Sequence, residues 1–268
     1  MKKTASIILL CAILLLSCFT AASCTAPALK QEEGGGFRNP KTGIFYYPTA
    51  PNYFAKPYGE EPYAKIEIGN GGEDILLYQI ENVDPERFLV SNAYSVYAAK
   101  GAELPELYDF PCVRVGIYDT QVASNDGNIT DDAEILELKE LHKDGTYTSL
   151  GNLNLYTESV INWYDLHFMG DGMYRGVYYQ LKYGVFSEDV IITELVEKDA
   201  EGNFIDFYPG VDYEITWETY DGREYQVAKY NFGKEILCDI STGNCYAIEN
   251  SLLPYVTPQE DASNGDAT

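Results

Sequence analysis

The sequence lacks the short motifs that identify most hydrolases and phosphotransferases. It contains no GxSxG, HExxH or SxxK motif, no phosphate-binding loop and only two histidines, His142 and His167. Its six cysteines include no CxxC pair and no Cys/His cluster, which argues against a zinc site. We therefore assign no catalytic residue, no metal and no cofactor. Paired carboxylates of the kind that hydrolyse glycosides stay possible, because acidic residues are abundant.

Basic residues are scarce. The chain has 18 lysines and arginines against 42 aspartates and glutamates, which gives a net charge of −24. A charge of this sign repels phosphate backbones and anionic lipid headgroups. The composition thus argues against nucleic-acid binding and against an electrostatic attachment to membranes.

Long hydrophobic runs are also missing. The main apolar run, from Ile7 to Leu16, is about half the length that a membrane-spanning helix requires. Lys2 and Lys3 precede it, and a short apolar stretch behind a positive start is typical of an export signal that is cleaved.

The end of this segment reads Leu15-Leu16-Ser17-Cys18. It resembles the lipobox of bacterial lipoprotein precursors, and the resemblance covers only this end of the chain. It implies that the signal ends at residue 17 and that Cys18 carries lipid. Ala21-Ala22-Ser23-Cys24 offers an alternative, Cys24, and an ordinary secretory signal that releases the protein is a third reading. Lipidation implies a lipid-anchored protein on the extracytoplasmic face of a bacterial cell membrane.

The rest of the chain predicts one folded unit between two polar ends. We expect a flexible tether at 18–42, a single β-rich globular domain at 43–253, with two subdomains as the alternative, and a disordered acidic tail at 254–268. With 46% hydrophobic residues the chain can bury a core. The strand signals predict an α+β fold, predominantly antiparallel β-sheet with one conspicuous amphipathic helix.

The helix is predicted to follow Thr130, which is a good N-cap residue. Ile135, Leu138 and Leu141 are spaced to form one buried face, and Gly145 marks the end.

A hairpin is predicted around Asp221-Gly222, with two possible registers. A two-residue turn sets Trp217 opposite Gln226, whereas a three-residue loop with a glycine bulge sets Trp217 opposite Tyr225. We expect the second register, because it gathers the apolar side chains on one face.

Two sets of residues are candidates for a specific role. Alternation along a strand would put Trp163, Asp165 and His167 on one face, where they are a possible ligand surface for a sugar or a peptide. The alternative is a solvent-exposed face on which the acid and the imidazole merely form a hydrogen bond. Cys238 and Cys245 flank a hairpin turn and form a possible disulfide in an exported protein, with two free thiols as the alternative.

Three classes of function follow from these observations. The first is a non-catalytic binding or interaction module, which we expect because aromatic and hydrogen-bonding groups are present without a catalytic set. Its ligand would be a glycan, a peptide or an envelope protein. The others are an envelope hydrolase acting on glycans or peptides, and a structural or inhibitory envelope factor.

Overall fold

The computed structural model describes residues 26–32, 34–68, 72–121, 124–151 and 160–256. This part of the chain is mostly β-sheet in antiparallel pairing, with one helix of more than seven residues, which confirms the general prediction. In the described segments, no helix has the length and hydrophobicity that crossing a bilayer requires.

The N-terminal third forms a sheet that we call the closed sheet. Its strands are β1 Ala28–Gln31, β2 Phe37–Arg38, β3 Phe45–Pro48, β5 Pro57–Tyr58, β6 Ala64–Ile66, β7 Ile75–Ile80, β8 Phe88–Ser91 and β9 Val96–Ala99. Their order is β5-β7-β6-β1-β2-β3-β9-β8, and β8 also pairs with β7, so seven of the eight strands close into a ring. Tyr46, Leu77 and Leu89 are fully buried and belong to its apolar cluster.

The central sheet contains the longest strands of the core. Its members are β4 Tyr53–Ala55, β10 Cys112–Asp119, β11 Asn125–Ile129, β12 Tyr147–Ser149, β13 Val160–Gly170, β14 Val177–Phe186, β18 Glu235–Asp239 and β19 Asn244–Ala247. Seven of them follow the order β11-β10-β13-β14-β18-β19-β12, and β4 pairs with β14. The small sheet consists of β15 Ile191–Leu195, β16 Asp212–Tyr220 and β17 Arg223–Asn231, in the order β15-β17-β16.

Helix α1, Asp132–Asp144, lies where the apolar spacing predicted it. Ile135 and Leu138 are buried in the main core, and Leu141 packs against it. The N-cap is Asp131 and not Thr130, because the Asp131 carboxylate accepts hydrogen bonds from the amides of Ala133 and Glu134. Two shorter helices are the 3₁₀ turn Gly172–Tyr174 and α2, Leu253–Val256.

The two faces of the central sheet have different surroundings. On one face Leu166, Phe168 and Tyr179 lie in the main core together with the buried side of α1. On the other face Phe186 and Ile236 pack into a second cluster with residues of the small sheet. The second cluster takes its central-sheet residues from β14, β18 and β19, and Trp163 of β13 packs against it. Above β10 and the rest of β13 the same face borders a groove, and we call it the open face.

The tether predicted at 18–42 is wrong over part of its length. β1 pairs in parallel with β6 and antiparallel with β2, and Leu29 is buried in the closed sheet. Pairing satisfies backbone groups of β1 and buries its apolar side chain. The domain also extends past 253, because Val256 at the end of α2 is buried. The rest of the predicted tail and the signal segment lie outside the described residues.

The register predicted for the small-sheet hairpin is also wrong. Trp217 pairs with Gln226, and Tyr220 pairs with Arg223 across a two-residue turn. Asp221 and Gly222 both have positive φ, at 49° and 75°. This is the backbone of a type I′ turn, whose twist matches that of the two strands it joins.

Candidate functional site

Strand β13 carries the three side chains that the sequence singled out. It lies between β10 and β14 in the central sheet. The period of two places Trp163, Asp165 and His167 on the open face, while Leu166 and Phe168 point into the core. Asp165 and His167 line a groove of about 760 Å³, which we call the tyrosine groove. Its wall on the far side comes from β5 and the residue before it.

His167 is held in a row of stacked rings. The centroid of its imidazole lies 4.6 Å from that of Tyr118 and 4.4 Å from that of Tyr178. Phe54 of β4 stacks on the other side of Tyr178 at 5.9 Å and 11°. Tyr118 can reach this position because Gly116, opposite His167 in the sheet, has no side chain. A Cβ atom there would lie 2.7 Å from the Tyr118 ring.

This stack controls the charge of His167. Burial lowers the pKa of the imidazole to about 4, with a further lowering from Lys56 and Lys182. Asp165 and Gln180 act in the opposite direction but do not compensate for the burial. His167 is therefore neutral at pH 7, and its Nε2 atom is buried without a hydrogen-bond partner.

Asp165 has two partners on β14. Lys182, directly opposite in the register, places its Nζ 2.5 Å from Oδ1 of Asp165, and Gln180 donates to the same oxygen at 2.9 Å. Neither partner was predicted from the sequence. Their signal was the alternation of Tyr178, Gln180 and Lys182, which puts all three on one face of β14.

Trp163 does not line the groove. Its indole packs edge-to-face against Phe186, with centroids 6.0 Å apart, and joins the second apolar cluster. Gly184, its partner on β14, leaves room for this ring, because a Cβ atom at Gly184 would lie 2.7 Å from it. The predicted ligand surface thus divides into a polar pair inside the groove and an indole outside it, and the indole offers no stacking plate there.

Two basic side chains, Lys56 and Arg114, lie on the wall and floor of the groove. Lys56 and Arg114 are exposed and form no salt bridge with any residue that the structure describes. Together with Lys182 they balance the three acids of the groove, Glu81, Asp119 and Asp165. The groove is therefore electrically neutral in a chain where acids outnumber bases by more than two to one. Asp119 is itself bonded by Asn162 at 2.6 Å.

A second polar cluster lies on the core face of the sheet, around Asp239. This carboxylate is buried and accepts hydrogen bonds from His142 at 2.6 Å and from Tyr179, Asn52, Ser241 and Thr242. Burial disfavours the ionised form, but the hydrogen bonds from His142, Ser241 and Asn52 outweigh it and lower the pKa of Asp239 well below its usual value.

The Asp239 cluster resembles part of a catalytic triad only in composition. The hydroxyl of Ser241 donates to Oδ1 of Asp239 at 2.7 Å and not to His142. A serine nucleophile must instead donate its proton to the histidine. The cluster links helix α1 to the β18–β19 hairpin.

Cys238 and Cys245 lie directly opposite each other in the β18–β19 hairpin. Both are buried and are free thiols in the structure. The hydrogen bond between them, together with burial, raises the pKa of Cys238 far above its usual range. The hairpin predicted from the sequence is confirmed, and the disulfide stays a prediction.

A second groove, of about 650 Å³, runs between α1 and the C-terminal segment. Its rim carries the acids Glu134, Glu137, Glu140, Asp144 and Glu249 and no basic residue. Tyr255 and Asn250 donate hydrogen bonds to two of these acids. Over the described ranges, no group of three histidines, cysteines or acids has the arrangement that a metal ion requires.

Comparison with known proteins adds no relative. No protein-family model matches the chain, and neither a curated protein nor a solved structure matches it.

Proposed function

We propose that this chain is a lipid-anchored binding module on the extracytoplasmic face of a bacterial cell membrane. In this proposal the lipid is attached at Cys18, with Cys24 as the alternative, and the tyrosine groove binds a carboxylate group of a glycan or a peptide without catalysing a reaction. The scaffold is best classed as α+β, because α1 packs on an antiparallel sheet. The export-type N-terminus supports the location, and the groove supports the binding role.

The choice of a carboxylate as ligand rests on one observation: aromatic ring edges and basic side chains lie together in the groove. Both faces of His167 and of Tyr178 are covered by neighbouring rings, so each can present only an edge to the groove. Aromatic edges carry partial positive charge. Lys56 and Arg114 add positive charges that form no salt bridge with a described carboxylate, and an arginine can hold a carboxylate through two hydrogen bonds. The faces of His167 and Tyr178 are therefore closed to a stacking sugar.

Two of the three acids of the groove are poorly suited to proton transfer. Asp165 is held by Lys182 and Gln180, and Asp119 accepts a hydrogen bond from Asn162. A general acid instead needs a carboxyl group whose proton is retained near neutral pH. His167 is neutral, but its buried Nε2 is out of contact with solvent. These features favour a binding role over hydrolysis.

Calorimetric titration of the full chain with two carboxylate probes tests this proposal. The probes are a uronic-acid oligosaccharide and a peptide rich in glutamate, each compared with its neutral counterpart. We expect one carboxylate probe to bind, and we expect the double variant Lys56→Ala/Arg114→Ala to bind it at least about tenfold more weakly. Lys41→Ala, an exposed lysine in the turn between β2 and β3, is the matched control and should leave binding unchanged.

Two outcomes would contradict the groove assignment. Equal binding of the charged and neutral probes would show that the carboxylate is not recognised. Equal binding by the parent chain and the double variant would place the site elsewhere. Release of shorter oligosaccharides or peptides during the titration would instead support a hydrolase.

Metabolic labelling with a fatty acid tests the anchor separately. We expect Cys18→Ser to lose the label and Cys24→Ser to keep it. Label that is kept in both single variants but lost in the double variant would mean that processing uses either cysteine. A chain that is never labelled and is released from the cells would favour the ordinary secretory signal.

A further inference from the structure

Strand β16 forms an exposed edge of the small sheet. It is nine residues long and pairs only with β17 among the strands that the structure describes. Trp217 is 68% exposed, the most exposed large hydrophobic side chain in the described segments. Ile215 and Tyr213 continue the same stripe and are also exposed. A long edge strand with exposed apolar side chains is a template with which another strand can pair.

The register of the hairpin determines which backbone groups are free. The two-residue turn makes Tyr220 and Arg223 a hydrogen-bonded pair, so the even-numbered residues of β16 bond to β17. The amide of Val196 donates to the carbonyl of Gln226, which shows that even-numbered residues of β17 point the other way, toward β15. The outward backbone groups of β16 therefore belong to its odd-numbered residues. These are Tyr213, Ile215 and Trp217, which carry the apolar stripe, and Thr219.

The opposite face of β16 is acidic. Asp212 and Glu214 are exposed and form no salt bridge with a described residue, while Glu218 is paired with Lys229 at 2.6 Å. A second copy of β16 laid antiparallel about Thr216 would set Glu214 against Glu218, and like charges directly opposite each other are destabilising. This arrangement disfavours pairing between two copies and favours a partner strand with basic residues.

We propose that β16 binds an extended segment of a partner protein by strand addition. The segment alternates apolar residues, which pack on Tyr213, Ile215 and Trp217, with lysine or arginine residues, which face Asp212 and Glu214. Backbone hydrogen bonds supply affinity, and the alternation supplies specificity. This surface is separate from the tyrosine groove, so it does not depend on the function proposed there.

Fluorescence anisotropy with a labelled peptide of alternating lysine and valine, as long as β16, provides the test. A peptide of the same composition, with all its lysines preceding its valines, has the same charge but cannot match both faces. We expect the alternating peptide to bind the full chain at least about tenfold more tightly than this second peptide, and more weakly as salt is raised.

Two variants separate the side-chain and backbone contributions. Trp217→Ser removes the centre of the stripe, and we expect at least about tenfold weaker binding. Thr219→Pro removes one outward N–H group while leaving the bonds to β17, and should weaken binding although no exposed apolar group is lost. Tyr147→Ser, an exposed aromatic on edge strand β12 of the central sheet, is the matched control and should have no effect. Thermal unfolding of each variant confirms that the fold is retained.

Several results would overturn this proposal. Equal binding of the two peptides would show that only charge is recognised, and unchanged binding by Thr219→Pro would show that no strand is added. Binding to phosphatidylcholine vesicles that is lost in Trp217→Ser, with no peptide binding, would assign the stripe to a membrane instead.

Discussion

Replacing His167 by phenylalanine should remove a loss of stability that the parent chain shows in mild acid. The phenyl ring retains the stacking between Tyr118 and Tyr178 but has no proton to bind. In the parent chain burial lowers the pKa of His167 from 6.5 to about 4. The unfolded chain therefore binds a proton at this residue in a pH range in which the folded chain does not.

The sign and the size of the effect follow from proton linkage. Because unfolding takes up a proton between pH 6.5 and about 4, the free energy of unfolding decreases as the pH falls through this window. The displacement of the pKa corresponds to about 3 kcal/mol. Above pH 6.5 and below pH 4 His167 adds no further dependence. Of the charged neighbours, Asp165 favours protonation, whereas Lys56 and Lys182 oppose it.

Urea denaturation at closely spaced pH values, followed by circular dichroism, measures this difference. The free energy of unfolding of the parent should fall more steeply than that of His167→Phe between pH 6.5 and 4. The other histidine, His142, is present in both proteins and cancels in the comparison. Tyr118→Phe keeps His167 and should keep the steep fall. Parallel curves for the parent and His167→Phe would refute the reasoning, because the imidazole would then titrate equally in the folded and unfolded chains.

Three further predictions concern packing and covalent state. Asp239→Asn should destabilise the fold by about 2–4 kcal/mol in urea denaturation, because the new NH₂ group would face hydrogen-bond donors. An unchanged denaturation midpoint would contradict the network. In protein purified from the native envelope and denatured in urea, so that burial no longer protects them, Cys238 and Cys245 should resist alkylation until reduced. The disulfide should add about 2 kcal/mol; alkylation in urea without reductant would show free thiols. Gly184→Ala should lower stability by about 1–3 kcal/mol through its clash with Trp163; full stability would show that the indole moves freely.

Local patterns predicted those features that depend on neighbours in the sequence. The period of two along β13 placed Asp165 and His167 on one face, and the spacing of Ile135 and Leu138 located the buried side of α1. The polar turn between Cys238 and Cys245 predicted the hairpin that joins them. In each case the residues that carry the signal are also the residues that form the element.

The groove could not be predicted, because it depends on pairing between distant strands. β4 and β5 bring Phe54 and Lys56 beside β14, although more than a hundred residues separate them in the sequence. Neither the proline-rich composition of this region nor its tyrosines specify which strand it joins. That Arg114 forms no salt bridge with a described residue is likewise a property of the assembled surface.

The wrong hairpin register has a specific physical cause. The prediction assumed that Trp217 and Ile215 must be buried, and chose the register that groups apolar side chains. In the structure both side chains are exposed, so burial contributes little to the choice between the two registers. The preference of Asp221-Gly222 for positive φ then decides it. An exposed aromatic stripe that burial does not explain is also the reason to look for a partner there.

His167 in the ring stack lowers the stability of the fold, and this loss can be compared with its contribution to binding in the tyrosine groove. His167 leaves a buried nitrogen without a partner, and it weakens the fold in acid. A sheet face with no function would be more stable with an apolar ring at this position. If His167→Phe is more stable than the parent at pH 5 and also binds the carboxylate probe more weakly, then the imidazole is retained for the groove. If it is more stable and binds equally well, the cations alone form the site and the stack only supports the sheet.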